Sequence, residues 1–234
     1  MALNASDDHV RATTVLIVDD HALLARSLAG GLRDEGFDAH VVDGLDGAGT
    51  ATTVLDAVRR VDADIVLLDL MLFGAVGDGL PLIEPLVAGG ARVIMLTGAT
   101  DDALLGACLE AGATGIVSKS SSLDVLLDQL VRAARGVEPL PVATRQELLG
   151  TLRRRRAADR ARLEPFGRLT PRERAVLGAL MDGASPQAIA SSSVVSIATV
   201  RSQIRSILEK LGVHSQGAAV AMAHRAGWSR WSPP

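Results

Sequence analysis

Five polar residues each follow directly on a short, mostly apolar run. Asp19 and Asp20 come after Thr14-Val15-Leu16-Ile17-Val18, and Asp69 comes after Ile65-Val66-Leu67-Leu68. Thr97 comes after Arg92 to Leu96, and Lys119 after Gly115 to Ser118. Three carboxylates gathered at one place repel each other unless a cation sits among them. Mg²⁺ suits such a set, because it takes oxygen ligands and keeps water and phosphate oxygens in its shell. The Thr97 hydroxyl and the Lys119 ammonium would hold the oxygens of a phosphoryl group. Asp69, the central carboxylate, can act as nucleophile and give an acyl phosphate. Such chemistry needs positioning and charge neutralisation above all. Taken singly, each residue has a plainer reading. An Asp-Asp pair before a helix is most often a cap favoured by the helix dipole, a lone Asp is a loop residue, Thr97 is structural and Lys119 is a solvated charge. Recurrence at successive run ends is what favours the joint reading.

The runs themselves must position these groups. Four or five apolar residues are too few for a helix core and read as strands buried on both faces. Between them lie helical patterns: Leu23, Leu24, Ser27, Leu28 and Leu32, stopped by Gly36; Thr50 to Val58; Leu80 to Val87, constrained by Pro81 and Pro85; Asp101 to Gly112; and Ser122 to Arg135, with Leu123, Leu126, Leu127, Leu130 and Val131 on one face. Ala39 to Val42 is a further short strand. Alternating strands and helices predict a parallel sheet covered on both sides. In such sheets ligands bind outside the carboxyl ends of the strands, where all five residues fall.

Charge divides the 234-residue chain in two. Residues 1–140 hold 9 Lys/Arg and 21 Asp/Glu, and residues 141–234 hold 15 and 6. An acidic half joined to a basic one suggests that the second half meets a polyanion. One cysteine, Cys108, excludes an intramolecular disulfide framework and fits a reducing cytoplasm. No apolar run approaches membrane-spanning length, and the start, MALNASDDHVRATT, does not read as a signal peptide.

In the basic half, Thr170, Pro171 and Glu173 have the spacing of a capped helix start. Val176, Leu177, Leu180 and Met181 form its apolar stripe. Ser185-Pro186 open a short helix with Ile189 and Ala190. Ser196 caps a third through Val200, Ile204, Ile207 and Leu211, which Gly212 ends, and Ser215 to Ala226 forms a fourth. A short helix, a tight connection and a longer helix is helix-turn-helix anatomy. Arg201 and Arg205 share one face of the third helix, with Ser202 beside them. Arginine there reads guanine or binds phosphate, and Thr199 and Lys210 suit phosphate contacts. A merely solvated face is the plainer alternative. Between the halves, Arg145 to Arg162 reads as a helix carrying Arg153-Arg154-Arg155-Arg156. We read that run as a solvated face, with a phosphate contact or a clamp on the acidic half as sharper alternatives.

Residues 13–135 resemble the receiver domain of bacterial two-component response regulators, through Asp19, Asp20, Asp69, Thr97 and Lys119. The resemblance implies a flavodoxin-like, five-stranded α/β fold, a sensor histidine kinase as phosphoryl donor, and the Met71 backbone carbonyl as a further Mg²⁺ ligand. Residues 168–230 resemble the LuxR-type helix-turn-helix domain, an all-α fold. The matching stretches are Leu169 to Arg174, Gly183-Ala184-Ser185 with Ile189-Ala190, Ser196, Thr199-Val200-Arg201 and Lys210 to Val213. Residues 136–167 are the linker. Together the halves resemble the NarL/FixJ family. That implies a cytoplasmic, dimeric transcription regulator that binds double-stranded DNA, with no membrane partner. There are departures. Leu72-Phe73 stand where receivers carry Met-Pro, and Ile116 stands where many carry an aromatic relay. Ser193 stands for a buried Leu, with Val194 and Val195 available to fill the gap, and Gln203 and Gln216 replace a common His and Arg. Two other readings stay open: a pseudo-receiver whose DNA binding is independent of phosphorylation, and, more distantly, a Mg²⁺-dependent phosphohydrolase. Against an enzyme, nothing in the chain looks like a substrate cap, and the basic half would be unexplained.

Overall fold

The computed structural model describes residues 13–43, 45, 50–72, 77–98 and 100–229. The polar start and the stretch containing Phe73 lie outside them. The described chain runs β1 (Thr14–Val18), α1 (Ala22–Asp34), β2 (Asp38–Val41), α2 (Ala51–Val61), β3 (Ile65–Asp69), α3 (Leu80–Ala88), β4 (Arg92–Thr97), α4 (Asp102–Glu110), β5 (Gly115–Ser118) and α5 (Leu123–Ala134). Then follow α6 (Val142–Gly167), α7 (Pro171–Met181), α8 (Pro186–Ser192), α9 (Ile197–Leu211) and α10 (Gln216–Ala226). Two compact units divide at Arg153/Arg154.

In the first unit the strands form one parallel sheet in the order β2-β1-β3-β4-β5. Every residue of β3 is buried, as a continuous apolar run requires. One face is covered by α1 and α5, through Ala25, Ala29, Leu32, Leu126 and Leu130. The other face carries Val54, Ile83, Leu86, Cys108 and Leu109, with Leu140 and Leu148 joining the same core. Burial pushes the Cys108 thiol up to about 11, so it is inert packing material. The helical stripe of α1 differs from expectation. Leu23 is 84% exposed and Leu24 39%, because the small Ala25 and Ala29 turn to the sheet.

The helix within the linker is longer than the expected Arg145 to Arg162. Helix α6 begins before Arg145 and continues through Pro165 to Gly167. Its first turns pack on α4 so closely that a Cβ on Gly106 would lie 2.5 Å from the Leu148 carbonyl oxygen. This packing draws residues up to Arg153 into the first unit. Its last turn is held in the second unit, where Phe166 is buried and stacks on Trp228 at 5.4 Å between ring centroids.

The second unit is helical. The Thr170 side chain and Glu173 form the expected capping box, and Ser185, Ser196 and Ser215 cap α8, α9 and α10. Leu177, Ile189, Val200, Ile207, Ala219 and Phe166 share one core. Ser193 leaves a groove of about 200 Å³ lined by Ala175, Val176, Ala179, Ile189 and Val195. Val194 does not fill it: this side chain is 91% exposed. Its backbone is left-handed, with φ 52°, in the tight turn between α8 and α9. A β-branched residue is strained there by roughly 1 kcal/mol or more. Val194→Gly is therefore expected to stabilise the chain by about 1 kcal/mol in urea unfolding.

Candidate functional site

Register assembles the first site. Val18 pairs with Leu68, so Asp19 and Asp69 emerge side by side from adjacent strands. Asp69 is level with Leu96, which puts Thr97 one residue further along β4. Thr97 in turn pairs with Ser118, and Lys119 follows, its backbone N–H donating to the Thr97 carbonyl at 3.0 Å. The crevice lies where the chain reverses its order of addition, at β1/β3. All five expected residues thus meet at one sheet edge.

The electrostatics follow from burial. Asp19, Asp69 and Thr97 are only 2%, 3% and 2% exposed. The Lys119 ammonium lies 2.7 Å from Asp69 Oδ2 and 2.7 Å from Asp19 Oδ2. Burial pushes the Asp69 carboxyl up, against the opposing hydrogen bonds from Lys119 and the Met71 N–H. For Lys119 burial acts downward, but pairing with Asp19 and Asp69 outweighs it and the ammonium is held up. Asp19, Asp20, His21 and Asp69 each offer a ligand atom within 4.8 Å of the others. His21, absent from the sequence expectation, places Nδ1 3.1 Å from Asp20 Oδ1 and 3.3 Å from Asp19 Oδ1. A mostly oxygen donor set around two buried carboxylates fits a hard divalent cation. Met71 is 60% exposed, and its N–H donates to Asp69 Oδ1 at 3.2 Å.

Gly79 also matters here and was not singled out by sequence. Its N–H donates to the Leu70 carbonyl at 2.8 Å, and a Cβ there would lie 2.3 Å from the Asp69 carbonyl oxygen. The loop can hold Asp69 only because this position lacks a side chain.

On α9, Val200, Ile204, Ile207 and Leu211 are buried, while Arg201, Ser202 and Arg205 are exposed. Thr199 is exposed at the start of the helix, its N–H donating to the Ser196 hydroxyl. Lys210, expected as a phosphate contact, also has a partner within the unit. Its ammonium is 2.6 Å from Glu173 Oε2, and Glu173 is buried. Burial alone would push the Glu173 carboxyl up. Hydrogen bonds from Lys210, from the Ser206 hydroxyl and from the Thr170 backbone N–H outweigh it and hold it at about 2. Lys210 therefore locks α9 to α7.

Residues 15–131 match the family described as response regulator receiver domain, and residues 168–223 match bacterial regulatory proteins, luxR family. The chain is 35% identical over 210 residues to the nitrate/nitrite response regulator protein NarP of Escherichia coli (strain K12), covering 89% of this chain and 93% of that one. It is 31% identical over 226 residues to the DNA-binding transcriptional activator DevR/DosR of Mycobacterium tuberculosis (strain ATCC 25618 / H37Rv), covering 94% and 97%. Among solved structures it is similar to RcsB from Salmonella enterica serovar Typhimurium bound to a promoter, with 26% identity, a TM-score of 0.49, and 90% and 97% of the two chains covered. Family matches over both halves, and relatives covered almost end to end, identify this chain as a two-component response regulator of the NarL/FixJ family, a DNA-binding regulator of transcription.

Proposed function

We propose that Asp69 is the phosphoacceptor, that Asp19, Asp20, Asp69 and the Met71 carbonyl hold Mg²⁺, and that a sensor histidine kinase is the donor. The observation that carries this is the Lys119 ammonium 2.7 Å from both Asp19 and Asp69 at the sheet edge. In transfer, an Asp69 carboxylate oxygen attacks phosphorus. The P–O bond forms as the donor's P–N bond breaks, and the imidazole leaves with the electron pair. Mg²⁺, when bound, would neutralise the charge on the phosphoryl oxygens. Lys119 is already placed to take one such oxygen. Thr97, buried one residue further along β4, offers a hydroxyl to another and moves as it engages.

On the output side, Arg201, Ser202 and Arg205 enter the major groove, and Thr199 binds phosphate at the start of α9. The protein acts in the cytoplasm, as a homodimer on two DNA half-sites. Among the described residues no helix is long and apolar enough to cross a membrane. Ile116 supports the second reading, phosphorylation-independent binding, because no aromatic ring is available there to follow Thr97 inward.

Titrating duplex DNA into the full chain decides between these. With Mg²⁺ and acetyl phosphate, affinity for the preferred site is expected to rise, and Asp69→Asn to remove the rise. Equal affinity with and without phosphodonor, on demonstrably labelled protein, would support the second reading. In the same assay Arg201→Ala and Arg205→Ala should each shrink the gap between the best site and random DNA by about 1–3 kcal/mol. If either variant retains full contrast, that arginine does not read bases.

A further inference from the structure

The arginine run of the linker is left without a role by the site described above. Between Arg154 and Arg162, α6 carries Arg154, Arg155, Arg156, Arg160 and Arg162 against one acid, Asp159. All five arginines are exposed, and no apolar side chain of this stretch is buried. Asp159 pairs with Arg162, and by sequence the stretch carries four more positive charges than negative ones. Arg156 and Arg160 are four apart, on one face. Like charges at that spacing destabilise a helix in water. A polyanion laid along them reverses that cost.

The run also belongs to the DNA-binding body. Residues from Arg154 onward lie in the second compact unit, and the helix ends on Phe166, stacked on Trp228 inside the core that holds α9. Arg154 is about 18 Å along the helix axis from Phe166, and Arg162 about 6 Å. The arginines are thus carried on an element rooted in the reading domain. We propose that Arg154, Arg155, Arg156 and Arg160 form a second DNA-binding surface, which holds the phosphate backbone beyond the bases read by α9. This rests on the assignment of the second unit as the DNA-binding part. The partner group is phosphate, because closely spaced, exposed guanidinium groups along one helix, without interleaved aromatic or amide side chains, set a line of positive charge against the line of charges on a nucleic-acid backbone.

The test uses the full chain with Arg154, Arg155, Arg156 and Arg160 replaced together by Gln, a good helix former. Circular dichroism checks that helix content is unchanged. Binding to a long duplex carrying the preferred site, and to random DNA of equal length, is measured across a salt series. The slope of log affinity against log salt should become shallower by about 0.9 for each phosphate that the variant no longer neutralises, hence by roughly 2 or more. The ratio between preferred and random DNA should stay the same. An unchanged slope would overturn the proposal and leave the run a solvated face. Tighter binding by the variant would also overturn it, because it would mean that the arginines clamp an acidic surface of the protein. Absence of any salt-dependent DNA binding by the unsubstituted chain would count instead against the assignment of the second unit.

Discussion

Glu173→Ala is expected to cost the second unit about 3 kcal/mol, a large share of what a domain of its size has to lose. The carboxylate accepts from the Thr170 N–H at 2.7 Å, closing the cap of α7, and from the Ser206 hydroxyl and the Lys210 ammonium of α9. Losing a helix cap costs about 1 kcal/mol. Stranding the partners of a buried carboxylate adds about 1–3 kcal/mol. Glu173→Gln keeps the shape and the cap and removes the charge, so it should cost less than Glu173→Ala. The same network predicts acid lability. A carboxyl held at about 2 when folded and near 4.5 when unfolded binds fewer protons in the folded state between those values. Its stabilisation is complete above about pH 4.5 and is lost as pH falls toward 2. With Lys210 partly open to solvent, the lost stability is roughly 2 kcal/mol. Urea midpoints from pH 7 to pH 3 should fall more steeply for the unsubstituted chain than for Glu173→Gln. Parallel curves would show that the network does not titrate as described. Lys210→Ala should likewise lower the midpoint, as removal of a residue that only binds DNA would not.

The second large effect is expected at Gly79, which contributes no chemical group. Gly79→Ala puts a methyl 2.3 Å from the Asp69 carbonyl oxygen, against backbone. The loop or the end of β3 must move, and Asp69 moves with it. A misplacement near 1 Å at a reacting group costs on the order of 100-fold in rate. Phosphoryl labelling of Gly79→Ala by acetyl phosphate should therefore slow by about that factor while far-ultraviolet dichroism stays native. Gly77→Ala is the comparison: a Cβ there meets nothing within 4 Å, though its φ of 68° strains alanine. It should lose stability with far less loss of labelling. Equal rates for Gly79→Ala and the unsubstituted chain would mean that the loop does not support the acceptor.

The contrast between Asp69 and Gly79 shows what the sequence could disclose. Asp69 follows four consecutive buried residues, and such a run announces both a strand and its end. The same held for Asp19 and Thr97, and Lys119 follows a shorter, partly buried strand, so the sheet and its rim were legible together. On α9, Val200, Ile204, Ile207 and Leu211 recur with the helical period, which left Arg201 and Arg205 facing out. What sequence could not give was approach between distant elements. Gly79 meets the Asp69 carbonyl, Gly106 meets Leu148, and Lys210 meets Glu173 across 37 positions; none of these leaves a periodic trace. The limits of α6 were hidden for a related reason. Pro165 ordinarily signals a helix end, but Phe166 buried on Trp228 holds the last turn in place. Likewise the stripe on α1 was read from its leucines, when the sheet takes the smaller Ala25 and Ala29.

On the function proposed above, Asp69 accepts the phosphoryl group within a carboxylate site that binds Mg²⁺. Intact-protein mass after incubation with acetyl phosphate tests it most directly. With Mg²⁺ present the mass should rise by one phosphoryl unit. The rise should vanish on chelation and in Asp69→Asn, and should fade in hydroxylamine, which cleaves acyl phosphates. Label persisting in Asp69→Asn, or no label from any phosphodonor with Mg²⁺ present, would contradict the account.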